Sequence, residues 1–306
     1  MPRLPDAPAR STVNLRGDYS RADADFRLAQ NYDGYTTDEQ AIWRTLYERQ
    51  LGMLSEHAAP EFMAGMRLLG ADAHRIPVLE EASERLKRLT GFEVIGVPGL
   101  IPEADFFAHL AERRFPVTVW MRRRDELDYL VEPDLFHDFF GHLPMLAHTV
   151  FANFIQAYGA IGAHARSPAA LKMLARLYWY TVEFGLVRTS RGLRAYGAGI
   201  LSSSGETIYA TRATGPARIA FDLHRVLRTN YLIDAYQKTY FVLDDIEQLF
   251  DSVLDADFEL LFQQADQPAY EPDARLPTDQ PASCGDSGHR VARRRARRSK
   301  KAPSPK

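Results

Sequence analysis

What is scarce in this chain bounds its chemistry first. Cysteine occurs once in 306 residues, as Cys284, so no intramolecular disulfide can form and no thiolate-based zinc or iron–sulfur site can be built. A reducing compartment suits that usage. No apolar run approaches the roughly eighteen residues of a membrane span. The opening Met1-Pro2-Arg3-Leu4-Pro5 lacks the apolar stretch of a secretory signal. No membrane contact is expected, and the cytoplasm is the expected location. Acidic residues are missing between Arg290 and Lys306, which holds nine Lys and Arg. The net charge of −2 hides this, since outside that stretch 29 basic residues face 40 acidic ones. Such a tail could touch nucleic acid electrostatically. Like charges with nothing to bury also make a plain solubilising extension, the reading preferred here.

What is present reads as one globular domain. Hydrophobic residues at 45% and charged residues at 25% can fill and cover a single large core. Residues 1–35 show no periodicity and are expected to form an extended arm. Thr36 precedes Glu39 by three residues, the pattern of a helix start, and Ile42, Leu46, Leu51 and Leu54 continue it. Another helix is expected from Pro77 to Leu89, stopping at Gly91, then a short strand or loop over Phe92–Gly99. Glu132-Pro133-Asp134 and Ser167-Pro168 read as helix starts. Ala195–Thr211, rich in Gly, Ser and Thr, reads as small strands and turns. Helical pattern resumes over Arg218–Leu227 and Asp244–Leu261, and order is expected to end after Gln267. The expected fold is mainly α with small β elements (α+β), a single catalytic domain over 36–265, with 266–306 a disordered basic tail.

Chemistry concentrates in PDLFHDFFGHLP, Pro133–Pro144. On an α-helix, Leu135, Phe136, Phe139, Phe140 and Leu143 share an arc of about 140°. The opposite arc carries His137, Gly141, Asp138 and His142, so the imidazoles bracket a notch floored by glycine. Pro144 is expected to end the helix. A bare H-x₄-H pair also occurs as two surface or satisfied core histidines. In LYWYTVEFGL, Leu177–Leu186, Glu183 is the one charged residue. A buried carboxylate must be paired, protonated or metal-bound, and Arg176 or Arg188 could serve as a purely structural partner. Two imidazoles and one carboxylate suit non-haem Fe(II) with open positions, and zinc accepts the same donors.

EPDLFHDFFGHLPML (Glu132–Leu146), YWYTVEFGL (Tyr178–Leu186) and AYGAGILSSSGE (Ala195–Glu206) resemble, in order and spacing, three signature blocks of the pterin-dependent aromatic amino acid hydroxylases. The resemblance runs from about Thr90 to Leu249. It implies that His137, His142 and Glu183 hold Fe(2+). Phe106 would stack on a tetrahydropterin whose pocket is lined by Gly99 to Ile101, Asp138, Ala175 and Tyr178. Arg122 would grip the substrate carboxylate in a bidentate contact, supported by Ser202, with Trp179 shaping the substrate site. The implied reaction is O₂- and tetrahydropterin-dependent hydroxylation of L-phenylalanine to L-tyrosine. Ile233 occupies a position where tyrosine-selective members carry an acid, which favours phenylalanine; tryptophan or tyrosine as substrate is the alternative.

Leu130-Val131 departs from the Thr-Pro of vertebrate members, so substrate backbone contacts there would differ. The chain shows no heptads for a tetramerisation helix, and a monomer is expected. A zinc hydrolase with the same ligands is the rival from another class. Truncation after about Gln267 is expected to leave catalysis intact.

Overall fold

The computed structural model describes residues 15–282. Cys284 and the basic run from Arg290 lie outside them. Helices surround two small sheets. They run in the order α1 (Thr37–His57), α2 (Pro60–Leu69), α3 (Leu79–Thr90), β1 (Glu93–Val97), α4 (Glu103–Ala111) and β2 (Arg114–Thr118). A π turn, His137–His142, leads into α5 (Leu143–Leu146), α6 (Thr149–Gly162) and α7 (Pro168–Tyr178). A second π turn, Trp179–Glu183, follows. The remainder is β3 (Leu186–Thr189), β4 (Gly192–Ala195), α8 (Ala198–Leu201), α9 (Ser204–Arg212), β5 (Ala217–Ala220), α10 (Leu223–Leu227), β6 (Thr239–Leu243), α11 (Ile246–Leu254) and α12 (Phe258–Gln263). β1 and β2 pair in parallel, and the second sheet has the order β4-β3-β6-β5 with only β3–β4 antiparallel.

The helix starts behave as their chemistry requires. Thr36 accepts the Glu39 N–H while Glu39 accepts the Thr36 N–H, a complete capping box on α1. Ser167 caps α7 by accepting the Ala170 N–H at 3.1 Å. At the EPD start, Asp134 itself is the cap: its Oδ1 accepts the His137 N–H at 3.0 Å.

The apolar arc lands where its periodicity places it. Leu135, Phe136, Phe139, Phe140 and Leu143 are all buried. Phe136 and Phe140 stack at 4.8 Å, and Trp43 and Tyr47 of α1 meet them edge-on. Burying each such side chain is worth about 1.5–3 kcal/mol, enough to orient the whole segment on α1.

Five expectations fail, each for a physical reason. His137–His142 is a π turn instead of continuous α-helix. Pro144 does not end the helix; helical turns run through it without a break from the π turn into α5. Ala195–Thr211 is mostly helical. Ser203 caps α9 on the Glu206 N–H, and Ile200, Leu201, Thr207 and Ala210 are buried while Ile208 faces out. Within Arg218–Leu227 the first part is β5, drawn into the sheet by β6. Order also continues past Gln267. The 268–282 segment bonds to Arg228, Asn230, Arg218 and Ala220 along the β5 edge and the end of α10, where unpaired backbone groups await partners.

Candidate metal centre

His137 and His142 open and close the first π turn, and Glu183 closes the second. A π turn bonds residues five apart, and here the Phe184 N–H reaches the Trp179 carbonyl at 2.8 Å. That widening stacks residues i and i+5, which an α-helix would set 140° apart by its 100° step. Both imidazoles therefore point one way. Gly141 sits within this turn because α8 crosses it; a Cβ there would stand 2.9 Å from the Cβ of Ala198.

The three side chains converge. His137 Nε2 lies 3.3 Å from His142 Nε2, and Glu183 Oε1 and Oε2 lie 3.2 Å from His142 Nε2 and 3.5 Å from His137 Nε2 respectively. Glu183 is 12% exposed at its side chain. Burial works against its charge, and the two imidazoles outweigh it, holding the carboxyl well below the usual range. Burial likewise opposes a proton on His137, and Glu183 outweighs it, raising that imidazole above its ordinary value.

The structural partners proposed for Glu183 are engaged elsewhere. Arg176 donates to the Leu227 carbonyl and the Asn230 side chain, and Arg188 pairs with Asp244.

A supporting ring of contacts holds the donors. His137 Nδ1 lies 2.9 Å from Ser202 Oγ, leaving Nε2 to face the cluster. Asp134, fully buried, accepts from the His137 N–H and from Arg122 at its N–H, Nε and Nη2, all at 2.9–3.0 Å. Burial would push the Asp134 carboxyl up, and Arg122 reverses that and holds it low. Neither Asp134 nor the Ser202–His137 bond was read from the sequence. The one available signal was an Asp three residues before His137, the spacing of a cap.

The structure gathers most of the other candidates around the cluster. Tyr178 sits 6.2 Å from the His142 ring, and Phe106 on α4 meets Tyr178 edge-on at 5.6 Å. Ala175 is one turn before Tyr178 on the same helix. Asp138 accepts the Thr118 N–H at 2.8 Å, and burial lifts its carboxyl above the usual range. Gly99 is buried and Ile101 half-buried on the loop between β1 and α4. Trp179 is sandwiched by Tyr231 at 4.3 Å and Phe184 at 5.1 Å. Arg122 has its inner edge committed to Asp134, so Nη1 and the outer side of Nη2 are what it can offer a ligand. Ile233 is not brought in: it stands 63% exposed between α10 and β6 and encloses nothing.

A helical domain that aims two imidazoles and a carboxylate at one point defines an open, mononuclear metal site of the catalytic kind. The chain belongs to the biopterin-dependent aromatic amino acid hydroxylases, whose family pattern matches residues 14–272. It is 47% identical over 283 residues to phenylalanine-4-hydroxylase of Chromobacterium violaceum, covering 92% of this chain and 94% of that one. It is 53% identical over 239 residues to phenylalanine-4-hydroxylase of Ralstonia nicotianae, covering 78% and 76%. The crystal structure of the C. violaceum enzyme with bound iron(III) and oxidised cofactor 7,8-dihydrobiopterin superposes with a TM-score of 0.81 at 50% identity, over 84% of this chain and 93% of that one. No helix among the described residues is long and apolar enough to cross a membrane.

Proposed function

We propose that this protein hydroxylates L-phenylalanine to L-tyrosine, using O₂ and a tetrahydropterin at one Fe(II) held by His137, His142 and Glu183. The observation that carries the reading is the meeting of those three side chains in a chain of this family. Metal bonds of about 2.1 Å put neighbouring donors about 3 Å apart, and the 3.2–3.5 Å separations fit one ion with little adjustment. Iron and pterin together supply the electrons and the O₂ activation that the reaction needs.

The chain's own work is to hold, orient and keep dry. Ser202 fixes the His137 ring through Nδ1, and Asp134 ties its backbone to Arg122. The outer edge of Arg122 takes the substrate carboxylate, a charge-assisted bond from a guanidinium already set in plane by Asp134. Trp179, immobilised by Tyr231 and Phe184, borders the aromatic ring of the substrate. Phe106 and Tyr178, with Ala175, Asp138 and the Gly99–Ile101 loop, house the pterin. The preference for phenylalanine rests on the relatives' activity, since Ile233 stands exposed. The enzyme is a cytoplasmic monomer in this reading.

Aerobic turnover of phenylalanine, tyrosine and tryptophan with Fe(II) and a synthetic tetrahydropterin, with products read by mass, tests it. Pterin-dependent tyrosine from phenylalanine is expected. Turnover of tyrosine or tryptophan alone would keep the chemistry and change the substrate, and no product with iron bound would end the proposal.

A further inference from the structure

The arm ahead of α1 is engaged with the loop that the pterin reading uses. Between β1 and α4 the chain runs through Pro98, Gly99, Leu100 and Ile101. The Pro98 carbonyl accepts from Trp120 Nε1 at 3.0 Å, and the Leu100 carbonyl accepts from the Tyr19 hydroxyl at 2.9 Å. Gly17 lies flat against Pro98, where any Cβ would collide with that carbonyl. Arg16 covers the Trp120 ring at 4.8 Å, pairs with Glu126, and donates its backbone N–H to Glu132 Oε2 at 3.1 Å. Further along, the Leu28 N–H bonds the Gly96 carbonyl at 2.8 Å, so the arm follows the loop back onto β1.

These contacts have one sense. Both tied groups are carbonyls, turned back toward the arm and Trp120. Among the described residues the N–H groups of Leu100 and Ile101 have no hydrogen-bond partner, so they stay available to acceptors on a ligand. A loop held this way does not have to be ordered when a heterocycle arrives, and ordering is a main cost of binding. Burial, with Glu132 beside it, pushes the Tyr19 hydroxyl up to about 12, so it stays a donor across the working range.

We propose that Arg16–Tyr19 form a latch that presets the Pro98–Ile101 loop for the pterin, with the Tyr19 hydroxyl as the positioning group. This rests on the reading of that loop as a wall of the pterin site. Tyr19 touches no reacting atom. Its loss should therefore move pterin affinity and leave the substrate and metal sites alone.

The test is Tyr19→Phe in the full chain. 7,8-Dihydrobiopterin is titrated calorimetrically onto the iron-loaded wild type and variant, and amide hydrogen exchange is followed over residues 98–101. One lost hydrogen bond corresponds to roughly three- to tenfold weaker pterin binding. In the pterin-bound proteins Leu100 and Ile101 should exchange faster in the variant, with iron content and the phenylalanine KM at saturating pterin unchanged. Equal affinity and exchange in the two proteins, even with a lower Tm in the variant, would reduce Tyr19 to a structural contact and overturn the latch. A wild type that binds no dihydropterin would remove the pterin reading of the loop and the latch with it.

Discussion

Ser202 and Glu206 sit four residues apart; the first holds a metal ligand, and the second is a buried carboxylate of α9. Ser202 holds His137 Nδ1, and removing such an outer partner typically lowers metal affinity ten- to hundredfold. Ser202→Ala should do so in an Fe(II) titration while leaving secondary structure unchanged; undiminished affinity would mean His137 needs no orienter. Glu206 is buried in α9, and burial raises its carboxyl to about 7 against the Tyr240 and Gln237 donors. Its pKa when folded lies above the value of about 4.3 in an unfolded chain. Its contribution to stability is therefore full below about pH 4.3 and is lost as pH rises toward 7. Both donors fall on Oε1, so the carbonyl of a glutamine can replace it. Glu206→Gln should flatten the decline in urea midpoint between pH 5 and 7, and parallel curves for the two proteins would place the titration elsewhere.

At the scale of elements, the metal site is a matter of two irregular helices. The apolar arc of Leu135, Phe136, Phe139, Phe140 and Leu143 was legible, because burial of one helix face follows from periodicity alone. So were the histidine pair and the lone Glu183, which stand out chemically from their neighbours. The π turns were not legible: a widened turn has no propensity signal, and on an ideal α-helix the imidazoles only bracket a notch. Nor was α9, whose Ser, Gly and Thr mimic a loop until Ser203 is seen capping it. Ile233 illustrates the opposite error, since a position matched by resemblance gave no warning that it faces solvent. Gly141 joins the first π turn to α8, which leads directly into Ser202. Gly141→Ala should push α8 back by tenths of an ångström, costing about 1–3 kcal/mol in thermal unfolding. It should also weaken Fe(II) binding by displacing Ser202; stability lost with iron affinity intact would uncouple the two.

For the whole molecule, the segment after Gln267, expected to be disordered, is held by the body of the domain through residue 282. Arg225 is buried, and its guanidinium is satisfied by Asp279, the Ala274 carbonyl and Thr229, while Tyr270 lies between Arg225 and Arg228 at 4.7 and 4.6 Å. The same segment bonds the Asn230 N–H through the Tyr270 carbonyl at 2.9 Å, next to the Tyr231 that braces Trp179. Cutting after Gln267 leaves Arg225 buried without its carboxylate, a loss of about 3–5 kcal/mol, on the order of 10 °C in Tm for a chain of this size. Cutting after Ala282, which keeps Ala274 and Asp279, should give a higher Tm than cutting after Gln267. If both truncations melt alike, the segment carries no stability.

The two π turns bring in a quantity that side-chain chemistry does not describe. Each is a helical turn widened to span five residues, and the ligands face each other because of that spacing. Removing one residue from the first turn would let it close into ordinary helix, leaving the two imidazoles four residues apart and about 40° out of line by the 100° step. Between Asp134 and Leu143, and again between Tyr178 and Phe184, the number of residues is part of the active site as well as their identity.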